Sequence, residues 1–100
     1  MSAMTHLEEA RAFISQQLAL LQAGDVEGLR RTFSRRQQDR IAPELLETAK
    51  PELSRYSLDD LAFAVEERSD GIKIKMKNGR TLTVLVKEDD GWKADTVWMK

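Results

Sequence analysis

The sequence predicts an α+β domain in which N-terminal helices pack on a four-stranded antiparallel meander sheet. Two patterns carry this prediction. Three turn signals that contain glycine divide the last third of the chain into four short segments rich in β-branched and aromatic residues. The first half instead repeats apolar residues at the spacing of one helical face. A sheet with one apolar face needs a cover, and the helices must provide it.

The predicted strands span 61–68, 72–77, 81–88 and 92–99. The turns between them are Ser69-Asp70-Gly71, Asn78-Gly79 and Asp89-Asp90-Gly91. A two-residue turn at Asn78-Gly79 would place three lysines on the same face as Leu82. We therefore expect a three-residue loop, 77–79, with Gly79 in a left-handed bulge.

These loop lengths set the register of the sheet. The same three-residue loop is expected at 89–91, and a two-residue turn at Asp70-Gly71. The predicted cross-strand pairs are Val65–Met76, Ile72–Val84, Ile74–Leu82 and Val86–Ala94. The inner face then carries Leu61, Phe63, Val65, Glu67, Ile72, Ile74, Met76, Leu82, Val84, Val86, Trp92, Ala94, Thr96 and Trp98.

Capping residues mark the helices. Thr5, with Glu8 three residues later, predicts the start of a long helix that ends at Ala23-Gly24 and covers the sheet. Asp25 caps a second helix, which carries Val26, Leu29 and Phe33. Later starts are predicted at Pro43 and at Ser57 with Asp60, and Pro51 is expected to stop or kink the third helix.

Composition predicts one domain over residues 1–100, with helices over about 5–56 and the sheet over about 61–99. A net charge of −1 argues against a general nucleic-acid binder or a polybasic membrane protein. The chain has no cysteine, no signal sequence and no apolar run of about 20 residues. It also shows no zinc or dinucleotide motif. We expect a cytoplasmic protein without a metal or cofactor.

Five arginines fall between Arg30 and Arg40, with Asp39 as the only acid. One interpretation is a patch for anions, because the planar guanidinium group suits phosphate. The other is a solvated helix face whose charge is balanced by acids elsewhere, and it is favoured because no Gly-rich phosphate loop accompanies the run. The candidates for the patch are Arg31, Arg35 and Arg36.

Glu67 is the candidate for chemistry, because the predicted register places it on the apolar face. A desolvated carboxylate there would act as a base, whereas at the end of the strand it would simply reach water. His6, the only histidine, needs a carboxylate or imidazole brought to it by folding before it can act. The candidate pocket residues are Tyr56, Phe63, Glu67, Met76, Trp92 and Trp98, which would otherwise fill the core.

The order of elements resembles the nuclear transport factor 2-like superfamily, the cystatin-like α+β cone. The resemblance is carried by Leu18–Phe33 and Gly91–Met99. It implies a curved sheet wrapped around the first helix, and a function among isomerases, dehydratases, polyketide-cyclase-like enzymes and binding or dimerisation modules. The sequence departs from the pattern in being short, and the acid–base pairs of the enzymes have no obvious counterpart here.

The expected function is therefore a non-catalytic binding or dimerisation module with an apolar concave pocket for a small apolar ligand or a protein. The alternative is a small isomerase- or dehydratase-like enzyme that uses Glu67 with Tyr56. The outer face of the sheet predicts a homodimer, because apolar residues there would form a patch. The alternatives are a larger partner protein, or a bulge near Asp95 that turns Val97 and Met99 inward. The interface candidates are Thr83, Leu85, Val97 and Met99.

Overall fold

Helices precede a four-stranded antiparallel sheet in the computed structural model, which describes residues 5–98. The α+β class predicted from the sequence is confirmed. The helices are α1 (His6–Ala23), α2 (Val26–Arg30), a 3-10 helix (Arg35–Arg40), α3 (Pro43–Leu53) and α4 (Leu58–Leu61). The strands are β1 (Ala64–Arg68), β2 (Gly71–Lys75), β3 (Thr81–Glu88) and β4 (Gly91–Ala94). Within 5–98, no helix has the length and apolarity that a bilayer span requires.

The predicted helix starts are confirmed by their hydrogen bonds. The Thr5 hydroxyl accepts from the Glu8 amide, and the Glu8 carboxylate completes the capping box. Gly24 ends α1 with a φ of 71°, which glycine adopts without a side-chain penalty. Asp25 caps α2 through the Gly28 amide at 2.9 Å. Short-range chemistry alone therefore sets where α1 and α2 begin.

The third helix begins at Pro43 as predicted, but Pro51 does not stop it. Proline removes one backbone donor, yet the helix continues to Leu53, whose side chain is buried in the core. The Ser54 hydroxyl also donates to the Lys50 carbonyl at 2.6 Å. Burial and this bond hold the last turn. Ser57 caps α4 through the Asp60 amide, as predicted.

The first hairpin keeps its predicted faces but not its register. Its turn is Ser69-Asp70, so Val65 pairs with Ile74 rather than with Met76. The register between β1 and β2 thus shifts by two residues. Because side chains alternate between the two faces, an even shift keeps each side chain on its predicted face. The strand also begins at Ala64, because Leu61 lies in the single turn of α4 and is buried there.

The second hairpin has the predicted three-residue loop, and Gly79 has a φ of 89°. The Met76 amide donates to the Arg80 carbonyl across that loop. Beyond it, a bulge lets the partner of Ile74 become Thr83 instead of Leu82. The predicted pairs Ile74–Leu82 and Ile72–Val84 are therefore wrong.

The third hairpin turns over two residues, Asp89-Asp90, instead of the predicted three, so Leu85 rather than Val86 pairs with Ala94. Together with the bulge, this turn points Thr83 and Leu85 into the core and leaves Val84 and Val86 half-exposed on the outer face. Burial of the Thr83 hydroxyl is compensated, because it donates to the Thr96 carbonyl at 2.9 Å.

This reversal removes the predicted outer apolar patch. Thr83, Leu85 and Val97 are buried in the core of the chain, so their predicted placement on an exposed sheet face is wrong. Met99, the fourth interface candidate, lies outside the described residues. Thr83, Leu85 and Val97 are therefore packing residues of one chain.

The edge of the sheet at β4 is covered by the segment after α2. The Ala94 amide donates to the Thr32 carbonyl, and the Ser34 amide donates to the Ala94 carbonyl, both at 2.8 Å. Phe33 therefore lies in a parallel bridge and not in α2, where it was predicted. β4 also ends at Ala94, five residues earlier than predicted. The chain from Asp95 to Trp98 turns into the core instead.

Candidate functional site

The space between α1 and the sheet is filled by side chains of the chain itself. The Trp98 indole donates to the Gln17 amide oxygen at 3.1 Å, and the Gln17 amide donates to the Thr32 hydroxyl at 2.9 Å. That hydroxyl donates in turn to the Leu29 carbonyl. Phe33 packs edge-on against Trp98, with ring centroids 5.5 Å apart. These polar groups are paired with one another, so side chains of the chain itself occupy this interior.

The predicted pocket residues do not converge on one cavity. Met76 and Trp98 are buried in the core, whereas half of Phe63 is exposed to solvent. Tyr56 and Met76 line a small cleft of about 240 Å³ beside Asp60. Glu67 and Trp92 line a different, shallow cleft. The prediction of a single apolar cone pocket built from these residues is therefore wrong.

Folding does bring a carboxylate to His6. The His6 Nδ1 lies 2.6 Å from Glu67 Oε1, and the His6 ring packs edge-on against Trp92. The Glu67 side chain is nevertheless 74% exposed, so it reaches water at the end of β1. Of the two alternatives for Glu67, the structure therefore matches the one in which the carboxylate reaches water.

A second groove lies between α1, the end of α2 and β4. We call it the Trp92 groove, and its volume is about 600 Å³. The groove is lined by Glu9, Ala12, Phe13, Gln16, Leu20, Gly28, Arg31, Thr32, Asp90, Trp92 and Lys93.

The helical wall of the groove is a second stripe of α1. Glu9, Phe13, Gln16 and Leu20 follow the spacing of one helical face, one position before the buried stripe Ala10, Ile14, Gln17 and Leu21. Phe13 and Leu20 are half-exposed. The helix thus presents apolar side chains both to the core and to the groove.

Glycine at position 28 allows α2 to lie close to this wall. A β-carbon there would come within 2.8 Å of the Leu20 side chain and within 2.5 Å of the Asp25 carboxylate that caps the helix. Both contacts are too short for an undisturbed side chain. Gly28 therefore leaves room for the Leu20 side chain and the capping Asp25 carboxylate, and a side chain there would make both move.

The facing wall is Trp92, which three neighbours hold in place. Its indole N–H donates to the Glu9 carboxylate at 2.6 Å. Lys87 Nζ lies 4.6 Å from the centroid of the ring, in cation–π geometry. The His6 ring packs edge-on against it, with centroids 6.2 Å apart. A half-exposed aromatic surface is thus fixed at the side of the groove.

Lys93 and Asp90 form the rim. Lys93 Nζ donates to the Arg31 carbonyl at 2.8 Å and lies 3.0 Å from the Asp90 carboxylate. The hydrogen bond from Lys93 lowers the pKa of Asp90 below its ordinary value. Lys93 thus pairs with Asp90 at the rim and also anchors the backbone of Arg31.

The three candidate arginines lie in different surroundings. Arg36 binds Asp95 through two guanidinium contacts, and the Ser34 hydroxyl also donates to Asp95. The bond to Arg36 lowers the pKa of Asp95 and raises that of Arg36. Arg35 lines a separate cleft with Glu88, Asp89 and Asp90. Only Arg31 of the three lies in the Trp92 groove, so the three arginines do not form one patch.

Sequence reasoning missed the groove because it assigned α1 only one apolar face. A signal was present, since Phe13 and Leu20 are seven residues apart and lie outside the stripe that becomes buried. Among residues 5–98, no group of three or more His, Asp or Glu side chains is arranged to hold a metal ion. No family model, curated protein or solved structure matches the chain.

Proposed function

We propose that this protein is a non-catalytic binding module that takes its ligand in the Trp92 groove. One observation carries the proposal. The interior between helix and sheet is filled by Trp98, Phe33 and Gln17, while Phe13 and Leu20 remain half-exposed beside a fixed aromatic ring. Binding would therefore use the outer side of α1.

The groove has the properties of a ligand site. Such sites have volumes of roughly 300–1,000 Å³, apolar walls and a few placed polar groups. Here the apolar walls are Phe13, Leu20 and Trp92, and the Gln16 amide lies between the first two along the helix. The contacts that hold Trp92 reduce the entropy lost on binding. These features favour a binding role over a purely structural one.

The alternative is an enzyme that uses Glu67 as a base, and the contact with His6 is its one support. The two side chains are 74% and 42% exposed, so water competes for any proton they would transfer. Tyr56, its suggested partner, lines the cleft beside Met76 and not the clefts lined by Glu67. We therefore favour binding over catalysis.

Binding of N-phenyl-1-naphthylamine, a neutral dye that fluoresces in apolar surroundings, tests the proposal. We expect saturable binding to the native protein, weakened about tenfold in Trp92→Ala and in Phe13→Ser, since each loses roughly 1.4 kcal/mol of apolar contact. Circular dichroism checks that both variants remain folded.

Phe63→Ser is the matched control, because Phe63 is the large apolar side chain exposed elsewhere among the described residues. Its dye affinity should equal that of the wild type. If Phe63→Ser weakens binding as much as Trp92→Ala, or if Trp92→Ala binds like the wild type, the groove is not the binding site.

A further inference from the structure

We infer that the Trp92 groove takes an amphipathic organic anion, with its charged group on the guanidinium of Arg31 and its apolar body between Phe13, Leu20 and Trp92. The inference rests on the proposed function and adds the class of ligand. The relevant anions are carboxylates, sulfonates and phosphates that carry a flat or chain-like apolar group.

Two carboxylates, those of Glu9 and Asp90, line the groove. The Glu9 carboxylate accepts the indole N–H of Trp92. The Asp90 carboxylate is paired with Lys93 at 3.0 Å. Lys93 therefore offsets the charge of Asp90, while the neutral indole N–H holds the Glu9 carboxylate against Trp92 without cancelling its charge.

Arg31 is exposed and forms no ion pair with any residue between 5 and 98. Its backbone is held at both polar groups, because its amide donates to the Glu27 carbonyl and its carbonyl accepts from Lys93. A guanidinium offers a planar fork of donors to an anion. Arg31 thus combines an unpaired charge with an anchored backbone.

The length of the apolar wall indicates the size of the ligand. Glu9 and Leu20 bound the stripe of α1 in the groove, and eleven residues of helix rise by about 16 Å. That length accommodates a body of two fused rings or a medium alkyl chain. The same ligand would place apolar groups against Phe13 and Leu20 while its charge reaches the rim.

The neighbouring cleft provides a contrast. Arg35 lies there with the Asp90–Lys93 ion pair and with Glu88 and Asp89, so two carboxylates besides that pair oppose the approach of an anion. Arg31 and Arg35 have the same charge and are four residues apart, but only Arg31 adjoins apolar walls. Arg35 is therefore a matched control for Arg31.

The test compares two dyes that share one apolar body. 1-Anilinonaphthalene-8-sulfonate and N-phenyl-1-naphthylamine differ in the sulfonate group alone. We expect the wild-type protein to bind the sulfonate about tenfold more tightly, as one charge-assisted contact allows. Arg31→Gln should remove that preference, and Arg35→Gln should keep it.

The outcomes separate this inference from the proposed function. If Trp92→Ala does not weaken binding of the neutral dye, the groove is not the site and both proposals fail. If the neutral dye needs Trp92 but the sulfonate gains nothing, or Arg31→Gln keeps the preference, only the inference fails.

A free amphiphile and a lipid headgroup share this chemistry, and vesicles distinguish the two sources. We commit to the free amphiphile, and we expect no cosedimentation of the protein with vesicles of phosphatidylglycerol or phosphatidylcholine. Sedimentation with phosphatidylglycerol vesicles alone that Arg31→Gln abolishes would overturn the free ligand in favour of a lipid surface.

Discussion

Trp98 and Trp92 make the same kind of bond to α1 but stand in opposite surroundings. Trp98 donates its indole N–H to Gln17 inside the core, and Trp92 donates to Glu9 at the groove. The buried acceptor is a neutral amide and the half-exposed acceptor is a carboxylate. A carboxylate in the position of Gln17 would have to be buried with its charge, which is costly.

The difference shows how one helix serves both structure and binding. The stripe that contains Gln17 is buried and fully packed, so its side chains contribute to stability. The stripe that contains Glu9 leaves Phe13 and Leu20 half-exposed, so their contacts remain free for a ligand. Mutations in the two stripes should therefore separate stability from binding.

The largest effect is expected for Trp98→Ala. Truncation leaves a cavity next to Phe33 and removes the donor to Gln17, so the free energy of unfolding should fall by about 3–5 kcal/mol. Trp92→Ala should cost about 1–2 kcal/mol, since its ring is only half-buried. Urea denaturation followed by circular dichroism measures both.

Trp98→Phe provides the intermediate step, because it retains one aromatic ring and loses the donor together with a smaller part of the side-chain volume. It should lie between the wild type and Trp98→Ala. Equal losses for Trp98→Ala and Trp92→Ala would show that the interior and the groove are packed alike and would break the comparison.

The next effect is expected for Gln17→Leu. Leucine is close to glutamine in size but leaves the Trp98 N–H without its acceptor in a buried site. We expect a loss of about 2 kcal/mol in the free energy of unfolding. Gln16→Leu is the control on the groove stripe, and its stability should change by less than about 0.5 kcal/mol. A Gln17→Leu variant as stable as the wild type would mean that the buried network contributes nothing.

The helices were predictable because their boundaries depend on residues close in the sequence. Thr5, Gly24, Asp25, Pro43 and Ser57 act through local hydrogen bonds or backbone angles, and each lies where predicted. The loop at Gly79 was predictable for the same reason. Such local features can be recognised in the sequence without knowing the tertiary contacts of the chain.

The faces of β3 were not predictable in this way. The alternation of Leu82, Val84 and Val86 is more apolar than that of Thr81, Thr83 and Leu85, so the pattern alone turns Val84 and Val86 inward. The bulge beside Leu82 and the two-residue turn at Asp89-Asp90 instead bring Thr83 and Leu85 to the core. The groove was missed for a related reason, since it exists only once α2 and β4 approach the same side of α1.

A smaller effect is expected for Asp95→Asn, which tests how the segment that carries Trp98 is held. Asp95 accepts hydrogen bonds from Arg36 and Ser34, and its pKa in the folded state lies below the ordinary value of 3.8. The folded state therefore binds fewer protons than the unfolded state near that pH. The stabilisation is present above the unfolded pKa and is lost as the pH falls through the lower folded pKa.

At pH 7 the substitution should lower the free energy of unfolding by about 1.5 kcal/mol, because charge-assisted bonds are replaced by weaker ones. The difference from the wild type should shrink below about pH 4. Urea denaturation at pH 7 and pH 3 measures it. A difference that stays constant between these values would mean that the charge of Asp95 is not what stabilises the segment.

The smallest effect is expected at the contact between His6 and Glu67, the two residues of the alternative enzymatic interpretation. Both side chains are largely exposed, and exposed ion pairs contribute roughly 0–1 kcal/mol. His6→Ala and Glu67→Gln should therefore each change the free energy of unfolding at pH 7 by less than about 1 kcal/mol. Neither should alter the affinity for the neutral dye by more than about twofold, because Glu9 and Lys87 still hold Trp92. A tenfold loss of dye binding in both variants would show that this contact positions Trp92. Binding would then depend on β1 as well as on the exposed stripe of α1.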